Sequence, residues 1–259
     1  MSSVLQSIIE GVLEDVKARE LPLKILRERV EAAPPLRGAL NVLSANNTMK
    51  IIAEVKRSSP SKGRLATIAS ASELAREYED GGASIVSVLT EERRFAGSIK
   101  DFVDVRNEIT LPMLRKDFIV TEYQVLESRA LGADLLLLIV AGLSLSQYVD
   151  YHQMARELGM DVLVEVHTED ELEKALEANP SIIGVNSRNL KTLELDPGMF
   201  ARLIPLIPSS IVKVAESGIS LREEVEHVQN LGASAVLVGE TLVRAGDPRS
   251  AIGKLLGTL

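Results

Sequence analysis

The sequence predicts a (β/α)8 TIM barrel preceded by an N-terminal helical extension. From residue 50 onward, eight short β-rich runs alternate with amphipathic helical runs. Their starts lie roughly 20 to 33 residues apart, room for one crossover helix each time. Runs such as LLLLIV at 135–140 are apolar on both faces, as parallel strands covered by helices are. Eight such units in about 210 residues match a barrel in count and size. An open doubly wound sheet is the rival, disfavoured because no Gly-x-Gly-x-x-Gly follows the first strand.

The elements follow in order. Val4, Leu5, Ile8, Ile9, Val12, Leu13 and Val16 recur at helical spacing, and a second short helix is expected after Pro22, ending before Pro34-Pro35. Residues 1–48 therefore form the extension, either a plug under the barrel or a cap over one mouth, and 49–259 form the barrel, within one domain overall. The predicted strands are 51–56, 84–89, 112–116, 134–140, 161–166, 181–186, 211–216 and 234–239. Gly-Ala-Asp, Gly-Ala-Ser and Gly-Met-Asp sit just before strands, as glycines that end helices do.

Composition narrows the class of function. The chain has 259 residues, 46% hydrophobic and 25% charged, which is ordinary for a globular fold with a deep core. A net charge of −8 argues against nucleic acid as a partner. There is no cysteine, which removes disulfides and thiolate chemistry, and His152, His167 and His227 are not at metal-ligand spacing, so no metal site is expected. Glu10, Glu14 and Asp15 interrupt the N-terminal helix, and the longest apolar run, Leu135 to Ala141, is of strand length, so no membrane association is expected and the simplest location is the cytoplasm. The chain ends at GKLLGTL after the eighth unit, the pattern expected of a monofunctional barrel. A monomer is expected, with a dimer as the alternative.

Barrel chemistry sits at the C-terminal strand ends. The first strand ends with Glu54 and Lys56, which share parity and so one face. The SSPSKG that follows, with Ser59, offers hydroxyls and backbone N–H groups to an anion. The third strand ends with Lys116, the fifth with Glu165, and the sixth with Gly184, Asn186 and Arg188 on one parity. The seventh brings Glu216, Ser217 and Gly218, and the eighth Gly239, Glu240 and Thr241. Lysines, glutamates and an arginine on one mouth suit proton transfer on an anionic substrate. Any one of these alone is most simply a strand meeting solvent. Glu216 is read equally as a catalytic group or as the structural partner of a lysine. Arg115 and Asp117 have the opposite parity to Lys116 and are expected to pair on the outside. His167 is read as a satisfied structural histidine, and Glu240 as an acid favoured at a helix start. The loops after the seventh and eighth strands each open a helix, a pair that often holds phosphate on backbone N–H groups and helix N-termini.

The motifs IIAEVKRSSPSKG, SVLTEERRFAGS, LRKDFIV, GADLLLLIV, LVEVHTEDEL, IIGVNSRNL, VKVAESGIS and AVLVGETLV run from about residue 50 to about residue 245. In content and order they resemble indole-3-glycerol-phosphate synthase, the ring-closing enzyme of tryptophan biosynthesis. The resemblance implies a carboxy-lyase without cofactor, converting 1-(2-carboxyphenylamino)-1-deoxyribulose 5-phosphate to indole-3-glycerol phosphate, carbon dioxide and water. It implies Lys116 as the general acid of ring closure and Glu165 as the general base of dehydration. Lys56 would bind an anionic part of the substrate or act as an acid, with Glu54 and Asn186 positioning substrate and lysines. Arg188 and Ser217 would contact the substrate, and Glu216 would support the lysines. Ser59, Gly218, Gly239 and Thr241 lie where the family binds phosphate. Phe95 and Phe118 would line the aryl pocket, although packing explains Phe118 equally well. The first aromatic is Tyr78, so an aromatic contact from the extension is absent, and Leu5, Ile8 or Ile9 would make an apolar one instead. Lys62 and Arg64 carry no assigned contact. The alternatives are a related phosphosugar isomerase, such as phosphoribosylanthranilate isomerase, or a non-catalytic phosphate-binding barrel. The isomerase pairing uses a cysteine, which this chain lacks.

Overall fold

In the computed structural model, which describes residues 3–45, 48–190 and 192–259, eight parallel strands close into one barrel in chain order. They are β1 (Lys50–Val55), β2 (Ile85–Leu89), β3 (Met113–Lys116), β4 (Leu135–Ile139), β5 (Asp161–Val166), β6 (Ile182–Asn186), β7 (Val212–Glu216) and β8 (Ala235–Val238). β8 closes on β1 with Ile51 opposite Val236. Each boundary lies within a residue or two of the predicted run, because a strand buried on both faces leaves an unbroken apolar signature. Helices follow every strand, and the caps explain where several begin. Ser70, Ser98, Thr121, Ser144 and Thr168 each accept a hydrogen bond from the backbone N–H three residues on.

The core has two layers. Outward residues such as Ile51, Val86, Met113 and Leu136 pack under the helices around Tyr78, Phe102 and Tyr148. Inward residues such as Ile52, Ile85, Leu114, Leu135 and Leu163 fill the barrel. Alternation along each strand assigns the layers.

The extension forms α1 (Val4–Arg19), α2 (Leu23–Glu31) and α3 (Ala39–Ser44). Its alternative placements, plug or cap, are both realised, by different helices. Leu5, Ile8, Val12 and Val16 of α1 join the inner core with Phe118, Val120 and Ile139 at the C-terminal mouth. α3 lies at the opposite end, where the Leu40 N–H donates to Asp161 Oδ2 (2.7 Å), at the start of β5. Before it, the Arg37 N–H donates to Asp134 Oδ1 (2.8 Å), just ahead of β4. α2 packs on the helix Glu122–Ala130 between them. α3 and a two-residue hairpin, Ser58–Ser59 with Gly63–Arg64, are elements the sequence pattern does not show, since both are too short for periodicity to register. Among the described residues no helix is long and apolar enough to cross a membrane.

Candidate active site

A cavity of about 420 Å³ opens at the C-terminal mouth, within the size range of small-ligand sites. Every site residue named from the sequence lines it: Glu54, Lys56, Ser59, Phe95, Lys116, Phe118, Glu165, Asn186, Arg188, Glu216, Ser217, Gly218, Gly239 and Thr241. One wall is apolar, with Leu5 and Ile8 of α1 facing Phe95, Phe118, Leu137 and Ile139. The rings of Phe95 and Phe118 lie 6.0 Å apart, tilted by 40°. Phe95 is held by Glu91, whose buried carboxylate accepts from the N–H groups of Arg93 (3.1 Å), Arg94 (2.7 Å) and Phe95 (2.9 Å).

At the floor, the Lys116 ammonium donates to Glu165 Oε2 (3.0 Å) and lies 3.7 Å from Glu216 Oε2. Lys56 pairs with Glu54 Oε1 at 3.0 Å on the neighbouring wall. Burial opposes the charge on Lys116, but the carboxylates of Glu165, Glu216 and Glu54 outweigh it and hold the amine above its ordinary range. For Glu165, burial is likewise overcome, by Lys116 and His167, and its carboxyl is held well below the usual carboxylate range. Glu216 goes the other way: burial and the charge of Glu165 push it well up. Two carboxyls beside one ammonium do not both ionise. The shifts favour the charged forms of Lys116 and Glu165 and the neutral form of Glu216.

Glycines make this crowding feasible. A Cβ on Gly184 of β6 would occupy the space of the Glu216 carboxylate, and one on Gly239 that of the Glu54 carboxylate. The chain leaves β7 through Ser217 at φ 69° and Gly218 at φ 74°. A serine in the left-handed region is a strained placement typical of functional loops. The Ser187 hydroxyl donates to Ser217 O (3.1 Å) and the Thr241 hydroxyl to Ile219 O (3.0 Å), so neighbouring loops brace the turn. Asn186 Oδ1 accepts from the Arg188 N–H (2.9 Å), and the Arg188 guanidinium donates to Leu193 O (2.9 Å).

The structure adds to two expectations and corrects one, that for His167. The start of the helix Arg222–Asn230 does not offer all its donors to an anion, because Glu224 Oε2 already accepts from the Ser220 N–H (2.6 Å) and the Leu221 N–H (2.9 Å). His167 is not fully satisfied: its Nδ1 meets Glu171 Oε2 (3.1 Å), whereas Nε2 lies 3.1 Å from Glu165 Oε1 without the alignment of a hydrogen bond. Glu240 does more than favour a helix start, since its Oε1 accepts from Lys62 Nζ (2.8 Å) across the mouth. The parity of Arg115 and Asp117 gave their pairing correctly, at 3.1 Å. Leu5 and Ile8 joined the mouth as their apolar spacing allowed, whereas Leu190, Leu193 and Leu195 on the loop after β6 had no pattern to mark them.

The sequence profile of indole-3-glycerol phosphate synthase matches residues 5–255. The chain belongs to the indole-3-glycerol phosphate synthase family. It is 51% identical to the indole-3-glycerol phosphate synthase of Mycolicibacterium smegmatis, over 98% of this chain and 94% of that protein. It is 52% identical to that of Paenarthrobacter aurescens, over 96% of this chain and 94% of that one. Indole-3-glycerol phosphate synthase 1 of Streptomyces coelicolor is 51% identical over 98% of this chain and 95% of its own length. Membership of the indole-3-glycerol phosphate synthase family makes the chain a carboxy-lyase of tryptophan biosynthesis. Among solved structures, 3-hexulose-6-phosphate synthase from Salmonella typhimurium superimposes with a TM-score of 0.65 at 16% identity, over 82% of this chain and 98% of that one. A thiamine phosphate pyrophosphorylase from Pyrococcus furiosus gives 0.59 at 16% identity, over 81% and 94%. At such identities the likeness shows the barrel fold alone.

Proposed function

We propose that the barrel mouth closes the indole ring of 1-(2-carboxyphenylamino)-1-deoxyribulose 5-phosphate with Lys116 as the proton donor and Glu165 as the base. The observation that carries this assignment is Lys116 on the cavity floor, 3.0 Å from Glu165 Oε2 and 3.7 Å from Glu216 Oε2. The aryl ring fits the apolar wall that Leu5 and Ile8 form with Phe95 and Phe118. The phosphate fits the opposite rim, at the turn Ser217–Gly218, at Gly239 and Thr241, and at Ser59.

Held between these ends, the substrate carbonyl meets Lys116. The ammonium protonates its oxygen as the ring carbon bearing the carboxylate attacks, and loss of carbon dioxide restores aromaticity. Lys56, paired with Glu54, meets the departing carboxylate, and Glu54 accepts from the new hydroxyl. Loss of that hydroxyl as water follows: the recharged Lys116 protonates it while Glu165 takes the proton from the neighbouring carbon. Asn186 and Arg188 fix the substrate against the sixth strand end, and Glu216, pushed toward its neutral form by burial and by Glu165, keeps Lys116 in place. The exposed large apolar side chains are spread over several elements, Leu13 on α1, Leu23 and Ile25 on α2 and others, such as Leu145 and Leu206, elsewhere, which supports a monomer. The biosynthetic family supports the cytoplasm as the compartment.

The test is product formation followed by indole fluorescence, with a chelator present. Wild type should turn over, and Lys116→Ala should lose at least about 100-fold in kcat. A folded wild type that binds phosphate without turnover would replace this reading with a binding barrel or another phosphosugar enzyme.

A further inference from the structure

His167 stands directly behind the base of the proposed reaction. It follows β5, is 6% exposed, and has its ring between two carboxylates. Glu171 Oε2 accepts from the His167 backbone N–H (2.7 Å) and meets Nδ1 at 3.1 Å. That contact puts a proton on Nδ1. The opposite nitrogen, Nε2, lies 3.1 Å from Glu165 Oε1. The negative charge of Glu165 at this distance, with that of Glu171 on the other side of the ring, favours a second proton on Nε2 and so an imidazolium. Its charged neighbours are Glu165 on its own strand and Glu171 on the following helix, and against the cost of burial they push it up to about 9.

The stoichiometry of the proposed reaction calls for such a group. The substrate oxygen takes up two protons on its way from carbonyl to water. The base recovers one from carbon, and carbon dioxide leaves with none. Each turnover therefore draws one proton from elsewhere. Glu165 is still a carboxylate after ring closure, so it holds no proton with which to recharge Lys116.

We propose that His167 is the proton reserve of this site, passing its Nε2 proton to Glu165 and through it to Lys116 between ring closure and dehydration. A small turn of the ring aligns Nε2–H with Glu165 Oε1, 3.1 Å away, and the Nε2–H bond breaks as the Glu165 Oε1–H bond forms. The carboxyl turns about its last bond, its O–H bond breaks, and the proton joins the neutral Lys116 amine 3.0 Å away. The imidazole is left neutral with Nδ1–H on Glu171, and a proton taken up from the bulk solvent restores Nε2–H once product leaves. His167 acts through Glu165 and so is a positioning residue. This inference rests on the synthase reading.

Three enzymes decide it: wild type, His167→Ala and Glu171→Gln. The glutamine keeps an oxygen acceptor for the helix start and for Nδ1 but removes the charge that sustains the imidazolium. Wild type should consume one proton per product, read with an indicator dye in weak buffer. His167→Ala should lose about 10-fold or more in kcat, keep KM within about threefold, and regain rate with added imidazole. Glu171→Gln should move the alkaline limb of the kcat profile to lower pH. An alanine variant as fast as wild type, or a slow one that imidazole does not help, overturns the proposal. If His167→Ala does not fold, an unmoved limb in Glu171→Gln overturns it alone. A wild type without turnover sinks the synthase reading and this with it, whereas an active wild type with unaffected variants sinks only the proton reserve.

Discussion

Two buried ionic clusters flank β3, each setting cations against carboxylates, and they are put to opposite uses. Behind the strand, Arg115 is fully buried. It donates to Asp117 Oδ2 (3.1 Å), Glu127 Oε2 (2.8 Å), Ser128 Oγ (3.0 Å) and Thr90 Oγ1 (3.2 Å). Arg19 of α1 closes the cluster on Glu127 Oε1 at 2.9 Å. In front, Lys116 faces groups that hydrogen bonds leave open: both oxygens of Glu216 have no hydrogen-bond partner, and Glu54 Oε1 and His167 Nε2 have ion-pair contacts alone. A cluster that spends its polar groups on one another supports structure. One that leaves them unspent is costly to the fold and available to a substrate.

Breaking each cluster should therefore give different losses. Arg115→Met strands Asp117 and Glu127, and should cost about 3 to 5 kcal/mol in urea denaturation while the folded enzyme keeps kcat within about threefold. Gly184→Ala pushes a methyl into the space of the Glu216 carboxylate, and should lower kcat about 10-fold or more with a far smaller stability loss, measured on the same two assays.

Glu216→Gln sharpens the contrast through pH. The folded-state value of Glu216 lies above its unfolded one, so wild type loses stability as pH rises above about 4.3 toward the folded value. Glutamine cannot ionise. Relative to wild type, the variant should gain stability on going from pH 4 to pH 7 in thermal melts, and a parallel pair of curves would show that Glu216 is ionised. The smallest effect is expected at Arg93, whose exposed fork meets Glu14 (2.8 Å) and Asp15 (2.7 Å) on α1. Arg93→Ala should lower the melting temperature only slightly at low salt, and added salt should erase the difference.

Much of this was legible along the chain. The runs IIAEVK, LLLLIV and SIIGVN give strands because burial on both faces is a local, repeated demand, and the parity of Glu54 with Lys56 gives a shared wall. α3 was not legible, since six residues make too short a window for periodicity. Nor was the cross-mouth pair of Lys62 with Glu240, which joins loops 178 residues apart in sequence.

By itself, then, the sequence determined the eight strand–helix units, their inward faces and the reactive residue types at their ends, because periodicity is written residue by residue. Only the tertiary structure decided which of those groups meet and in what state of charge. Lys116 of β3, Glu165 of β5 and Glu216 of β7 converge because the barrel closes, and Gly184 on β6 leaves the room. Whether a carboxyl there is ionised depends on burial and on charges carried by other strands, and no stretch of one strand contains that information.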